Sequence, residues 1–191
     1  MDIEHLATEI GERKSVTNWT DDKITPHTWE LLFDAARCAP SSWNHQPARY
    51  VAVTNQDAIA AVVECLHRTN KWAIKAAGLV VQVACPTDDD RIDGKDYYLY
   101  DCGLAMMSLV YQAQVLGLSA RQMIGWDEQA LKTVLQIPNS YRVVVVTGLG
   151  YPSNSFISTS LAEAKRRLTN QHKRNALQHM LSWQHWQGAD Q

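Results

Sequence analysis

Apolar residues recur at helical spacing early in the chain. Ile3, Leu6, Ala7 and Ile10 share one face up to Gly11, and Trp29, Leu32, Phe33 and Ala36 mark a second stripe. Thr25-Pro26, just ahead of that stripe, supplies an N-cap hydroxyl followed by a proline at the first helical position, and Pro40 closes the helix. The pattern then predicts a strand over 49–54, a helix rich in Ala and Val over 57–67, and a buried strand over 78–85 around Leu79-Val80-Val81. From 97 to 116 the chain is apolar on nearly every side of a helical projection, with Asp101 its one acid and Gly103 its one glycine. A helix of that kind has to be covered all round, by the core or by another subunit. Gly117 ends it, and an extended piece over 119–124 and a helix over 127–135 follow. Residues 142–148, with four consecutive valines, read as a central strand. Helices thus alternate with three or four strands without the regular repeat of a doubly wound sheet, which favours the α+β class.

Beyond Pro152 the character changes. Ser153-Asn154-Ser155 is a loop, Ser160 and Glu163 have capping-box spacing, and Lys165-Arg166-Arg167 with Lys173-Arg174 form the most basic stretch. Leu177, Met180, Leu181 and Trp183 predict a final amphipathic helix. No repeat or low-complexity tract interrupts the 191 residues, which at about 70% burial suffice for one domain over 1–191. The 18 Lys plus Arg against 20 Asp plus Glu leave a charge of -2, unlike the basic excess of a nucleic-acid binder. The opening residues lack the basic-then-apolar order of a signal peptide, and no apolar run reaches the roughly 20 residues of a bilayer span. A cytoplasmic protein without a membrane segment is expected.

Several chemistries are absent as motifs. Cys38, Cys65, Cys85 and Cys102 form no C-x-x-C pair, and the seven histidines give no H-E-x-x-H, so no metal site is expected. There is no G-x-x-x-x-G-K-[ST], no G-x-S-x-G elbow, and Gly148-Leu149-Gly150 runs on to Tyr151-Pro152 rather than to a third glycine opening a helix. Two features remain. Arg13-Lys14-Ser15 and Lys165-Arg166-Arg167 each suit a terminal phosphate, through paired guanidinium donors and a short hydroxyl, or simply a solvated surface. The segment 40–47, Pro-Ser-Ser-Trp-Asn-His-Gln-Pro, packs two hydroxyls and two carboxamides between prolines. It is either a plain connection or an uncharged hydrogen-bonding surface of the sort a flavin ring and ribityl chain require.

Taken in order, these blocks resemble the FMN-dependent nitroreductase family. They are Arg13-Lys14-Ser15-Val16, the run Ala39-Pro40-Ser41-Ser42-Trp43-Asn44-His45-Gln46-Pro47, Asp101-Cys102-Gly103-Leu104-Ala105, Leu116-Gly117-Leu118, Ile137-Pro138, Gly148-Leu149-Gly150-Tyr151-Pro152 and Lys165-Arg166-Arg167. The resemblance implies a mostly antiparallel sheet flanked by helices and an intertwined homodimer with two FMN sites built from both chains. By that likeness Arg13, Lys14, Ser15, Lys165 and Arg167 hold the FMN phosphate. Pro40, Ser41, Ser42 and Asn44 reach the ribityl and ring region from the partner subunit, and Gln122, Met123, Ile124 and Gly125 line the ring. The backbone N–H groups of Ile124 and Gly125 fall near flavin N5 and O4, where donors stabilise the charge of the reduced ring. Gln46 fixes the loop rather than touching cofactor.

The implied activity is hydride transfer from NAD(P)H to flavin N5, then to a nitroaromatic, quinone or similar acceptor in a ping-pong cycle, with no side chain singled out as acid or base. Two positions depart from the family pattern. Thr17 stands where a third cation is common, and Asn70-Lys71 is an inexact match to the Asn and Lys that reach the pyrimidine edge. Trp43 and Trp126 are bulky beside motif positions. An alternative is a flavin-binding sensor or storage protein without NAD(P)H turnover, and a third reading makes residues 165–174 a patch for an anionic partner.

Overall fold

The computed structural model describes residues 6–153, 174–177 and 180–186. The chain divides into two compact units, Met1–Ser153 and Asn154–Gln191. In the first, a short helix α1 (Thr8–Glu12) precedes α2 (Pro26–Arg37), β1 (Arg49–Val53), α3 (Gln56–Glu64), β2 (Gly78–Ala84), a two-stranded hairpin of β3 (Arg91–Ile92) and β4 (Lys95–Asp96), α4 (Tyr98–Val115), β5 (Ser119–Met123), α5 (Glu128–Leu135) and β6 (Arg142–Gly150). Among the described residues the main sheet has four strands, ordered β1-β2-β6-β5 and antiparallel throughout. The α+β expectation and the antiparallel sheet both hold.

Local chemistry sets the element ends. The Thr25 side chain accepts the Thr28 N–H at the start of α2, with Pro26 leading the helix. Asn55 caps α3 and Asp127 caps α5 in the same manner. The β3–β4 hairpin, which periodicity missed because its strands are two residues long, turns on Asp93-Gly94, both at positive φ. That dipeptide is the usual sequence signal for such a turn.

The sheet is covered on both faces. Leu79, Val81, Val83 and Val146 pack towards α3, α5 and Trp19 in one cluster, whereas Val80, Ala120 and Leu149 pack towards α2 and α4 in another. Alternation along the strands sorts the residues in this way. Trp19 fits only because position 150 is glycine, since a Cβ there would lie 2.7 Å from the indole ring. The indole donates to Ser119 Oγ at 2.9 Å, fastening residues 17–20 along β5 and β6.

Among the described residues of the first unit, α4 is only partly covered. Its Leu109, Val110 and Ala113 are buried, but Leu99, Tyr100, Met107 and Val115 stay exposed. Of the two ways to cover this helix, the described residues of the first unit supply one side. In the second unit, the described residues 174–177 and 180–186 contain no α-helix, so the amphipathic helix predicted around Leu177 to Trp183 is not borne out there. The apolar side chains that suggested it, Leu177, Met180, Leu181 and Trp183, are exposed, so among the described residues no packed face stabilises a helix.

Candidate functional site

Arg13 follows α1 directly, and its Nη1 donates to Ser15 Oγ at 3.2 Å, with Lys14 exposed beside them. The structure thus gathers one of the two basic clusters into a cation-hydroxyl pair. Thr17, four residues on, is buried and belongs to the packed segment leading to Trp19. The second cluster, Lys165 and Arg167, lies outside the described residues, as does the Ser160–Glu163 pair.

The segment between α2 and β1 is held by its own polar groups. Gln46 N–H donates to Ser41 Oγ at 2.9 Å, Gln46 Nε2 donates to Asn44 O at 3.1 Å, and Arg49 Nη1 donates to Gln46 O at 2.6 Å. Gln46 therefore braces the loop. Trp43, Asn44 and Gln46 all have positive φ, a conformation that needs such bracing in non-glycine residues. The Trp43 ring is left 87% exposed. Pro40, Ser41, Gln46, Arg49 and Asp101 are among the residues lining a cleft of about 110 Å³ between this loop, α2 and α4.

Acids that periodicity left unassigned lie beneath the loop. Ser42 N–H donates to Asp101 Oδ2 at 2.7 Å, Ser42 Oγ donates to Asp90 Oδ2 at 2.5 Å, and His45 Nδ1 lies 3.1 Å from Asp89 Oδ1. Asp101 was legible as the lone acid of an apolar helix, and Asp88-Asp89-Asp90 as an acidic run, but one-dimensional spacing does not show that they meet under one loop. Burial, ahead of the neighbouring Asp89, pushes the Asp101 carboxyl above the usual carboxylate range, against the Ser42 N–H that favours its ionised form. Burial likewise pushes the adjacent Cys102 thiol up to about 12, so it is no nucleophile at neutral pH.

At the far end of β5 the chain turns sharply. Met123 is 3% exposed and packs into the core, so any contact it makes with a ligand comes from its backbone. Gln122 and Ile124 project to the surface, Ile124 with 84% of its area open. Asn70 Nδ2 donates to Ile124 O at 2.8 Å and His67 N–H to Gly125 O at 2.9 Å. Lys71 is turned elsewhere, onto Val63 O at 3.0 Å and the Glu64 carboxylate at 3.0 Å. Because no peptide here is cis, the Gly125 N–H points opposite to the Ile124 carbonyl, away from Asn70. Gly125 has φ +88°, and a Cβ there would sit 3.3 Å from His67 Cβ. Only glycine serves this turn without strain.

The comparisons with known proteins agree in kind. The model described as the nitroreductase family matches residues 10–85 and 66–151. A protein of Stutzerimonas stutzeri (strain A1501), with the provisional name NADH dehydrogenase/NAD(P)H nitroreductase, is 26% identical over 170 residues, 79% of this chain and 87% of its own. A crystal structure of a nitroreductase family protein from Clostridium novyi NT superposes with a TM-score of 0.73 at 27% identity, covering 76% of this chain and 84% of that one. Another, described as the oxidoreductase containing FMN, reaches 0.83 at 25% identity over 99% of this chain and 96% of that one. Among the described residues no helix is long and apolar enough to cross a membrane.

Proposed function

Because the chain belongs to the nitroreductase family, we propose that it is an FMN-dependent oxidoreductase that takes hydride from NAD(P)H and reduces a nitroaromatic, quinone or similar electron-poor acceptor. The observation that carries this reading is the turn at Ile124–Gly125. Both carbonyls are tied back to Asn70 and His67, and the Gly125 N–H faces away from Asn70 beside an open surface. Such fixed donors suit a ring that gains negative charge on reduction, and they need no reorganisation when it does. FMN, when bound, supplies the hydride chemistry itself, serving donor and acceptor in turn.

The chain's own residues have binding and orienting roles. Arg13, Lys14 and Ser15, together with Lys165 and Arg167, hold the phosphate; the Arg13–Ser15 pair already has the cation and hydroxyl that a phosphate prefers. Pro40, Ser41, Ser42 and Asn44 serve the flavin of a second copy, and Gln122 and Ile124 border the ring. The exposed apolar face of α4 supports such a homodimer, since it gives the second copy a surface to cover. No side chain is nominated as acid or base.

Purified protein incubated with FMN and passed through a desalting column is expected to keep flavin absorbance, and to oxidise NADH or NADPH with a quinone acceptor. A colourless product would overturn the reading. Bound flavin without turnover would leave a binding protein in place of an enzyme.

A further inference from the structure

Two segments 44 residues apart bring one imidazole and two carboxylates together beneath loop 41–46. One ligand atom from each of His45, Asp89 and Asp90 lies within 4.8 Å of the other two. His45 Nδ1 stands 3.1 Å from Asp89 Oδ1 and 3.9 Å from Asp90 Oδ2. A cation bound at about 2.1 Å sets its neighbouring ligand atoms about 3 to 4 Å apart, so these contacts have the spacing of ligands on one ion. Ser42 Oγ, 2.5 Å from Asp90 Oδ2, adds a hydroxyl at the rim.

Hydrogen bonding leaves this cluster incomplete. The Asp89 side chain is 0% exposed. Its Oδ1 accepts the Asp90 N–H at 2.8 Å and faces His45, but its Oδ2 is buried with no hydrogen-bond partner among the described residues. Both oxygens sit on one carbon, so the orphaned oxygen belongs to the very carboxylate that faces the imidazole. A buried acceptor without a donor is costly, and a cation held by one or both oxygens removes that cost. Charge points the same way, because Asp89, Asp90 and Asp101 all turn to loop 41–46. Arg91, next in sequence, pairs with Asp96 at 3.4 Å, Arg49 donates to the Gln46 and Ala48 carbonyls, and Arg37 pairs with Asp34 at 2.6 Å. These guanidiniums are committed away from the three acids.

We propose that His45, Asp89 and Asp90 bind a divalent cation of the Mn²⁺ or Zn²⁺ kind, which staples loop 41–46 to residues 89–90. An imidazole nitrogen with two carboxylates and no thiolate suits these ions, whereas Ca²⁺ and Mg²⁺ favour oxygen ligands alone. Nδ1 is the ligand atom, so the ring hydrogen resides on Nε2 and the contact of Nδ1 with Asp89 gives way to coordination. Asp89 binds through one or both oxygens and Asp90 through Oδ2, and water or the Ser42 hydroxyl fills the remaining positions. The His45 side chain is 36% exposed and that of Asp90 29%, which gives the ion a path from solvent on one side and a buried anchor on the other. Its role is structural: it holds a loop whose backbone has positive φ at Trp43, Asn44 and Gln46. Spacing along the chain, which led to the expectation of no metal, cannot bring His45 to Asp89.

The test uses the untagged full chain, stripped with EDTA and returned to phosphate-free buffer. Mn²⁺ is titrated in and its free fraction read by EPR, and Zn²⁺ is followed by calorimetry. One ion per chain is expected, with thermal unfolding raised by several degrees at saturation. Asp89→Asn, Asp90→Asn and His45→Gln should each weaken binding about tenfold or more and remove most of that rise. Asp88→Asn, which deletes an exposed acid beside the cluster, should bind as wild type does. His45→Gln and Asp90→Asn, both at partly open positions, carry the comparison if Asp89→Asn does not fold.

Absence of saturable binding by either ion would overturn the site and leave a hydrogen-bonded brace. Binding that survives His45→Gln, Asp89→Asn and Asp90→Asn alike would be an adventitious ion only, and would overturn it as well. An equal loss in Asp88→Asn would reveal general attraction to the acidic run, with the same consequence. No outcome depends on FMN, so a chain that fails to hold flavin counts against the proposed function and not against the ion.

Discussion

Glu128 shows how one carboxylate fastens an element to the sheet. It accepts from Arg142 Nε at 2.9 Å, from Arg142 Nη2 at 3.1 Å and from the Val143 N–H at 3.0 Å, and Lys132 Nζ lies 3.4 Å away. The Arg142 hydrogen bond, helped by the Val143 N–H and opposed by burial, lowers its carboxyl to about 2. A depressed folded value means stability present above the unfolded value near 4.5 and lost as pH falls towards 2. With Arg142 half exposed, solvent screening leaves roughly 1–2 kcal/mol for the group. Glu128→Gln should therefore lower unfolding stability by that amount at pH 7, with the gap from wild type narrowing at pH 3, as urea titrations at the two pH values would show. Gly125 is the residue-scale test of the candidate site. Gly125→Ala imposes a Cβ on a φ of +88° and against His67, so a loss of about 1–2 kcal/mol in stability is expected. FMN affinity should weaken with it, and unchanged binding by fluorescence titration would detach the turn from the flavin.

α2 has to end where the 41–46 loop begins, so its start matters to the site. Thr25 Oγ1 accepts the Thr28 N–H at 3.1 Å. Thr25→Ala should cost about 1 kcal/mol by thermal or urea unfolding, whereas Thr25→Ser should cost little. α4 is the element whose pattern said most. Its apolar character all round was plain in the sequence, yet which side the chain covers depended on where α2 and the sheet pack against it. Leu109 and Val110 meet the sheet, and Leu99, Tyr100 and Met107 do not. The β3–β4 hairpin was missed for the opposite reason: two-residue strands carry no period, and only the Asp93-Gly94 turn marks them.

For the whole molecule, the open face of α4 predicts association. Equilibrium sedimentation should give twice the 21.5 kDa chain mass, and Met107→Glu, which sets a charge in that face, should shift it to the single-chain mass and weaken FMN retention. A wild-type monomer that holds FMN would refute the dimeric site. Legibility differed between fold and site. Helix and strand positions followed from the spacing of apolar residues, because burial on one face imposes period 3.6 or 2 on the chain. The cap at Thr25 and the valine strand were readable because each is decided by neighbours in sequence. The motif 40–47 and Arg13-Lys14-Ser15 were readable as chemistry in the same way. The tertiary structure alone decided that Asp90 and Asp101 meet at Ser42 and Asp89 at His45, that Asn70 grips Ile124 rather than standing free, and that Lys71 turns back to Glu64. Those groups are tens of residues apart, and a carboxylate's environment, unlike a helix period, is set by whatever the fold brings within a few ångströms.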